Sequence, residues 1–182
     1  MIIGLTGYAQ AGKDTVAKLF VNNGFTKMAF ADPMRDALIE LNPLITVGGH
    51  YTQLADAVKK LGWEDLKKLS PQVRPLMQRM GTEVGREMFG ENFWVDLAMS
   101  KAAVHRDVVF SDVRFKNEAD AIVEHGGAVI RVLREGTTPV NDHRSETDMD
   151  NYPVDYVIGN HGVPEDLYAK VNVLLASMEA WL

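Results

Sequence analysis

MIIGLTGYAQAGKDTVAKLF, residues 1–20, is the stretch whose reading decides the fold. Ile2 to Thr6 is a short, mostly apolar run of the kind that makes a buried strand. Val16, Ala17, Leu19 and Phe20 then recur at helical spacing until Asn22-Asn23-Gly24 stops them. Between strand and helix lies Gly7-Tyr8-Ala9-Gln10-Ala11-Gly12-Lys13-Asp14-Thr15, in which Gly7, Gly12 and Lys13 have the spacing of a phosphate-binding loop. Such a loop aims backbone N–H groups and a helix N-terminus at an anion, and its lysine reaches the β- and γ-phosphates. The next residue is ordinarily a hydroxyl that binds magnesium. Here it is Asp14, a hard oxygen ligand, and Thr15 restores the hydroxyl one position later.

The rest of the composition narrows the setting. With 182 residues, 46% of them hydrophobic and 24% charged, the chain is sized for one soluble domain with a substantial core. It contains no cysteine, so disulfides and cysteine-based zinc sites are excluded, any metal must sit on oxygens or imidazoles, and a reducing cytoplasm fits. A net charge of -6 argues against a broad surface for a nucleic-acid polymer. No apolar run approaches the roughly 18 residues of a membrane span, and the start has no basic leader, so the chain reads as soluble, unprocessed and without a membrane partner.

Strands and helices alternate beyond the loop. Phe25 to Ala31 reads as a strand, and Asp32-Pro33 as a helix start with Asp32 as N-cap. Thr52 and Ser70-Pro71 supply two more helix starts, with Leu54, Ala55, Val58 and Leu61 on one face, so the middle third reads as helical. The Gly- and Lys-rich stretch 42–70 is the one candidate insertion. Asn92 to Val104 is a helix, Asp107 to Asp112 a buried strand, Phe115 to His125 a helix, Ala128 to Leu133 and Val154 to Ile158 strands, and Pro164 to Leu182 a helix. Its apolar face is Leu167, Val171, Leu174, Leu175 and Met178. The expected fold is α/β: a parallel five-stranded sheet covered by helices on both faces, with ligands at the strands' carboxyl ends.

Asp112 ends an apolar strand, where a carboxylate can orient a substrate, hold a metal or simply cap the next helix. Asp112 and Arg114 fall on one side of an extended segment, and Glu118 lies one helical turn further. Arginines suit a second anion site because a planar guanidinium matches phosphate.

The stretches GYAQAGKDT (7–15), FADPMRDAL (30–38), RPLMQRMGTEVGREMFGENFWVDLA (74–98), VVFSDVRFKNEADA (108–121), GGAVIRVLREG (126–136) and NDHRSE (141–146) resemble the deoxynucleoside monophosphate kinases of large bacteriophages, within the P-loop kinases. The GKDT form of the loop is usual there. The resemblance implies one P-loop kinase domain over 1–182, a helical acceptor-binding region over about 33–104 and a lid over about 134–150. It implies that Gly7, Ala11, Gly12, Lys13, Asp14 and Thr15 hold ATP, with Asp14 and Thr15 on Mg2+, and that Gly159 to Gly162, with Asn160, resembles a loop that contacts adenine. Around the acceptor it places Arg35, Arg74, Gly81, Thr82, Trp94, Asp112, Arg114 and Glu118, although an aromatic in Phe93-Trp94-Val95 reads equally well as core. Stretch 42–70 differs from the family, so base contacts there do not carry over.

The implied reaction is phosphorylation of a deoxynucleoside 5′-monophosphate to the diphosphate, with Lys13, Asp112, Arg114 and Arg134 at the reacting groups. The host cytoplasm is the implied location if the chain is phage-encoded, and a homodimer stays open. Related kinases of dephospho-coenzyme A or phosphomevalonate have similar loops, the latter also matching Ser145-Glu146. A module that binds ATP without phosphorylating a metabolite is the reading from another class.

Overall fold

The computed structural model describes residues 1–140 and 143–179. Asn141 and Asp142 of the expected lid, and the last three residues of the helix expected to reach Leu182, lie outside the described residues. The chain divides into two compact units, one of Ala31–Ala98 and one of Met1–Phe30 with Met99 onward.

The larger unit holds five strands, β1 (Ile2–Thr6), β2 (Thr26–Met28), β5 (Val108–Phe110), β6 (Ala128–Leu133) and β7 (Tyr156–Gly159). Their order is β2-β5-β1-β6-β7 and every neighbouring pair is parallel, as expected. Central β1 sets Ile3 against Val109 on one side and Gly4 against Val129 on the other. Buried on both faces, β5 is continuously apolar, which is why it reads as an unbroken run of Val108, Val109 and Phe110. Alternation along β1 turns Ile3 and Leu5 toward α1 (Lys13–Asn22) and α8 (Pro164–Glu179), where Val16, Phe20, Leu167 and Val171 complete the core. The apolar face expected for α8 is the one that packs. Each fully buried Leu, Ile or Phe contributes on the order of 1.5–3 kcal/mol. The other face carries α6 (Lys116–Glu124), whose Ile122 is fully buried. Because β1 is flanked by strands entered from opposite directions, its carboxyl end is the switch point where ligands bind in such sheets.

The smaller unit contains α2 (Asp32–Leu41), a hairpin of β3 (Leu44–Val47) and β4 (His50–Gln53), α3 (Leu54–Leu69), α4 (Val73–Arg79), a π-helix (Met80–Phe89) and the first turns of α5 (Phe93–Ala102). Met34, Leu38, Ile45, Leu54, Leu66, Val73 and Trp94 form its core. The hairpin departs from the all-helical expectation. Val47 pairs with His50 across Gly48-Gly49, both at positive φ, the geometry a two-residue hairpin turn demands. Thr52 accordingly pairs with Ile45 and starts no helix; the N-terminus of α3 is capped by Asn42, whose Oδ1 accepts from the Ala55 N–H at 2.9 Å. Leu61 is exposed because Gly62, at φ 70 and ψ 164, interrupts α3 and ends the face that begins at Leu54. Ser70 caps nothing: its Oγ is buried without a hydrogen-bond partner, and α4 starts only at Val73. Asp32 is the first residue of α2, one position past the N-cap Ala31, and its carboxylate pairs with Arg35. No helix among the described residues is long and apolar enough to cross a membrane.

Candidate active site

Residues 7–12 join the carboxyl end of β1 to α1, so the helix N-terminus opens at the switch point. The loop is tightly curled. Gln10 takes φ 65, a strained value for a residue with a side chain, and the fully buried Ala11 donates its N–H to the Tyr8 carbonyl at 3.2 Å. Lys13 folds back over the loop, its Nζ donating to the carbonyls of Gly7 (2.6 Å) and Tyr8 (2.8 Å). Burial pushes the Lys13 ammonium below the usual lysine range and the Arg114 guanidinium pushes the same way, while Asp14, Glu146 and Asp112 pull it back. Two cations converge on one cavity, and a phosphate bound there would offset the charge of both.

Asp14 and Thr15 are exposed on the first turn of α1. The Asp14 carboxylate accepts from Lys27 of β2 at 2.6 Å, an exposed pair worth less than about 1 kcal/mol. No cluster of three or more potential His, Asp or Glu metal ligands occurs among the described residues.

At the end of β5, Asp112 accepts from the Phe30 N–H at 2.8 Å, while the ring of Phe30 stacks on Phe110 at 4.2 Å. Glu118 is 5% exposed, and its Oε2 accepts from the N–H groups of Arg114 (2.7 Å) and Phe115 (3.1 Å), so this carboxylate closes the first turn of α6. Glu118 thus holds the backbone that carries Arg114. The Arg114 guanidinium itself turns to Glu146, Nη1 to Oε1 at 3.0 Å. Lys13, Arg114 and Glu146 line one cavity of about 150 Å³ with Gly7, Tyr8 and Leu133. Arg134 is exposed one residue beyond β6 and is not among the lining residues; its carbonyl closes a turn with Thr137. Asn160 props the loop, its Nδ2 donating to the Ala11 carbonyl at 2.9 Å.

Three residues of this cavity are not among the site residues expected from the sequence, although the stretch that carries Glu146 is part of the family resemblance. Tyr8 donates its hydroxyl to Asp150 at 2.9 Å, and that bond, more than burial, raises the phenol's pKa. Arg131 donates to the carbonyls of Met149, Asp150 and Tyr152. The only signal for it is an arginine inside an otherwise apolar strand. Glu146 sits on the short helix α7 (Arg144–Thr147), which no periodicity announces.

The remaining expected residues belong to the smaller unit. Arg35 gives Nη1 to Asp32 at 2.9 Å, while its Nε is buried with no hydrogen-bond partner. Arg74 is exposed on α4, and Gly81 and Thr82 are half-buried near the start of the π-helix. Trp94 is 6% exposed within the core, with its Nε1 donating to the Gly81 carbonyl at 3.0 Å.

A phosphate loop at the switch point of a 2-5-1-6-7 parallel sheet, its lysine sharing a cavity with an arginine from the segment that follows the neighbouring strand, defines a P-loop kinase fold. The family model for deoxynucleotide monophosphate kinase matches residues 44–171. The chain is 31% identical to a putative deoxynucleotide monophosphate kinase of Acanthamoeba polyphaga mimivirus, covering 94% of each protein. It is 26% identical to the deoxynucleotide monophosphate kinase of Enterobacteria phage T4, over 82% of this chain and 68% of that one. Among solved structures, shikimate kinase from Aquifex aeolicus aligns over 99% of both chains at 12% identity and a TM-score of 0.47. The chain belongs to the deoxynucleotide monophosphate kinase family.

Proposed function

We propose that this chain transfers the γ-phosphoryl group of ATP to the 5′-phosphate of a deoxynucleoside monophosphate. An acceptor phosphate oxygen bonds to the γ-phosphorus, the bond to the β–γ bridging oxygen breaks, and ADP and the deoxynucleoside diphosphate leave. The observation that carries this reading is the cavity that Lys13 and Arg114 line together, where burial and then the Arg114 guanidinium push the Lys13 ammonium below its usual range and an anion would offset both. Phosphoryl transfer needs alignment and charge neutralisation more than covalent chemistry. The loop from Gly7 to Thr15 binds the triphosphate, Lys13 and Arg114 flank the transferred group, and Asp112, fixed by the Phe30 N–H, orients the acceptor. Arg134, exposed one residue beyond β6, joins as part of the lid over about 134–150 that the family resemblance implies. An acceptor phosphate is already anionic, so no strong general base is required.

Magnesium, when bound, would supply charge neutralisation at the phosphates. Hard oxygen donors suit it, and such ions commonly take only one or two protein ligands beside phosphates and water. Asp14 and Thr15 would hold it, Asp14 by exchanging Lys27. Arg35, Arg74, Gly81, Thr82 and Trp94 serve the acceptor; the unpartnered Nε of Arg35 supports that role, because a buried donor without an acceptor is costly.

The test is ADP release with ATP and magnesium against a panel of deoxynucleoside and ribonucleoside monophosphates, dephospho-coenzyme A and phosphomevalonate. Turnover that depends on a deoxynucleoside monophosphate is expected. Turnover with one of the other metabolites alone would move the acceptor, and ATP binding without any acceptor-dependent turnover would make the chain a binding module.

A further inference from the structure

Arg114 is fixed from its backbone to its tip. Val113 donates its N–H to Leu5 at the end of β1, and Glu118 takes the next two N–H groups. At the tip, Glu146 accepts from Nη1; this carboxylate is 12% exposed, against 49% for the arginine. The element that carries Glu146 is clipped down on both sides. Asp148 accepts from the Lys116 N–H at 2.9 Å, at the start of α6, and from Arg144 at 3.2 Å, while the Arg144 guanidinium lies 5.5 Å over the Phe115 ring. Behind α7, Arg131 holds the carbonyls of Met149, Asp150 and Tyr152, and Tyr8 holds the side chain of Asp150. A carboxylate on so many anchors is part of a wall.

We propose that Glu146 is a positioning residue for phosphoryl transfer, gripping the Nη1 end of the Arg114 guanidinium so that the remaining edge of the fork presents to phosphate in the cavity shared with Lys13. This rests on the phosphotransferase reading above and adds a residue to it. A guanidinium contributes most when its plane is held before the phosphate arrives, since a fork free to rotate loses its two-pronged match. The rival role for Glu146, a stand-in anion that phosphate displaces, would require the anchored segment to let go each time the site fills.

The experiment compares wild type, Glu146→Gln, Glu146→Asp, Arg114→Lys and the double variant Arg114→Lys/Glu146→Gln, with thermal melts to verify folding. Glu146→Gln should lower kcat with a deoxynucleoside monophosphate about tenfold while the KM for ATP stays within about twofold. Glu146→Asp should recover part of the loss. On the Arg114→Lys background the same substitution should cost less than about twofold, because its effect runs through Arg114. Nitrogen-15 NMR of the nucleotide-free protein gives a readout independent of turnover: the Arg114 Nη signals should be separate in wild type and averaged by rotation in Glu146→Gln. Additive losses, unchanged kcat, or tighter ATP binding with turnover maintained would overturn the proposal. If wild type phosphorylates no deoxynucleoside monophosphate, the function proposed above fails, while NMR still decides whether Glu146 holds Arg114; a guanidinium equally restrained in Glu146→Gln would sink that.

Discussion

Asn160, one residue beyond β7, donates its side-chain amide to the carbonyl of Ala11 in the phosphate loop at 2.9 Å, joining positions 149 residues apart. Its own N–H is held by the Leu133 carbonyl at the end of β6, at 2.6 Å. The strained loop is therefore braced from the far end of the sheet, and the residue that the family resemblance sets near adenine also supports the cradle proposed for the triphosphate.

Asn160→Ala should loosen that cradle. It leaves the carbonyl of a buried residue without its donor, a loss of about 1 kcal/mol or more, and ATP affinity measured by calorimetry should fall roughly fivefold or further. Acceptor affinity should hardly move. Asn160→Asp, which sets a carboxylate against a carbonyl, should be worse. Unaltered ATP affinity in the alanine variant would mean that the loop keeps its shape without the brace.

Lys13 offers a prediction with a defined sign in pH. Its folded pKa lies below the ordinary value of 10.5, chiefly through burial and then through Arg114. The folded state therefore binds this proton less readily than the unfolded chain. The resulting penalty is full below the folded pKa and disappears as pH rises to the unfolded value. Lys13→Met should thus be more stable than wild type at neutral pH, with the advantage shrinking toward pH 10, while turnover is abolished. ATP should raise the melting temperature of wild type much more than that of the variant. A variant less stable than wild type at pH 7 would show that the bonds to the Gly7 and Tyr8 carbonyls outweigh the burial penalty.

Legibility in the sequence tracks how local the governing physics is. The loop between β1 and α1 is readable because its anion chemistry needs particular residues at particular steps, and β5 because burial on both faces leaves only apolar side chains. The Leu44–Gln53 hairpin was readable in principle: Gly48-Gly49 stands between β-branched Thr46-Val47 and the pair Tyr51-Thr52, yet the lysines and helical spacing around it favour helix. The partners of Arg114 were not readable. Glu118 at one helical turn reads as its ion-pair partner, but that carboxylate is drawn to two backbone N–H groups, and the guanidinium finds Glu146, 32 residues away. Such a pairing is set by tertiary placement, which spacing along one element does not encode.

Trp94 and Gly85 account for the π-helix that carries Gly81 and Thr82, and they make the last prediction. In an α-helix the Gly81 carbonyl would accept from the Gly85 N–H four residues on. Here the indole Nε1 of Trp94 donates to that carbonyl at 3.0 Å. The same nitrogen lies 1.8 Å from where a Cβ on Gly85 would stand, so the indole fills the place of the missing side chain. A side chain inserted into the hydrogen-bond ladder widens the turn, which is how a π-helix arises at Met80–Phe89. Trp94→Phe keeps most of the apolar burial and removes the intruding donor. It should cost about 1 kcal/mol of stability and let the segment relax toward α-helical spacing, visible as altered hydrogen exchange of the amides from Thr82 to Arg86. If Gly81 and Thr82 serve the acceptor, its KM should rise while ATP binding is unchanged. Gly85→Ala should be far more damaging, because the added methyl overlaps the buried indole ring of Trp94. Unchanged exchange in Trp94→Phe would mean that the wide turn is intrinsic to the segment, and an equal loss of ATP and acceptor binding would assign Trp94 to the core alone.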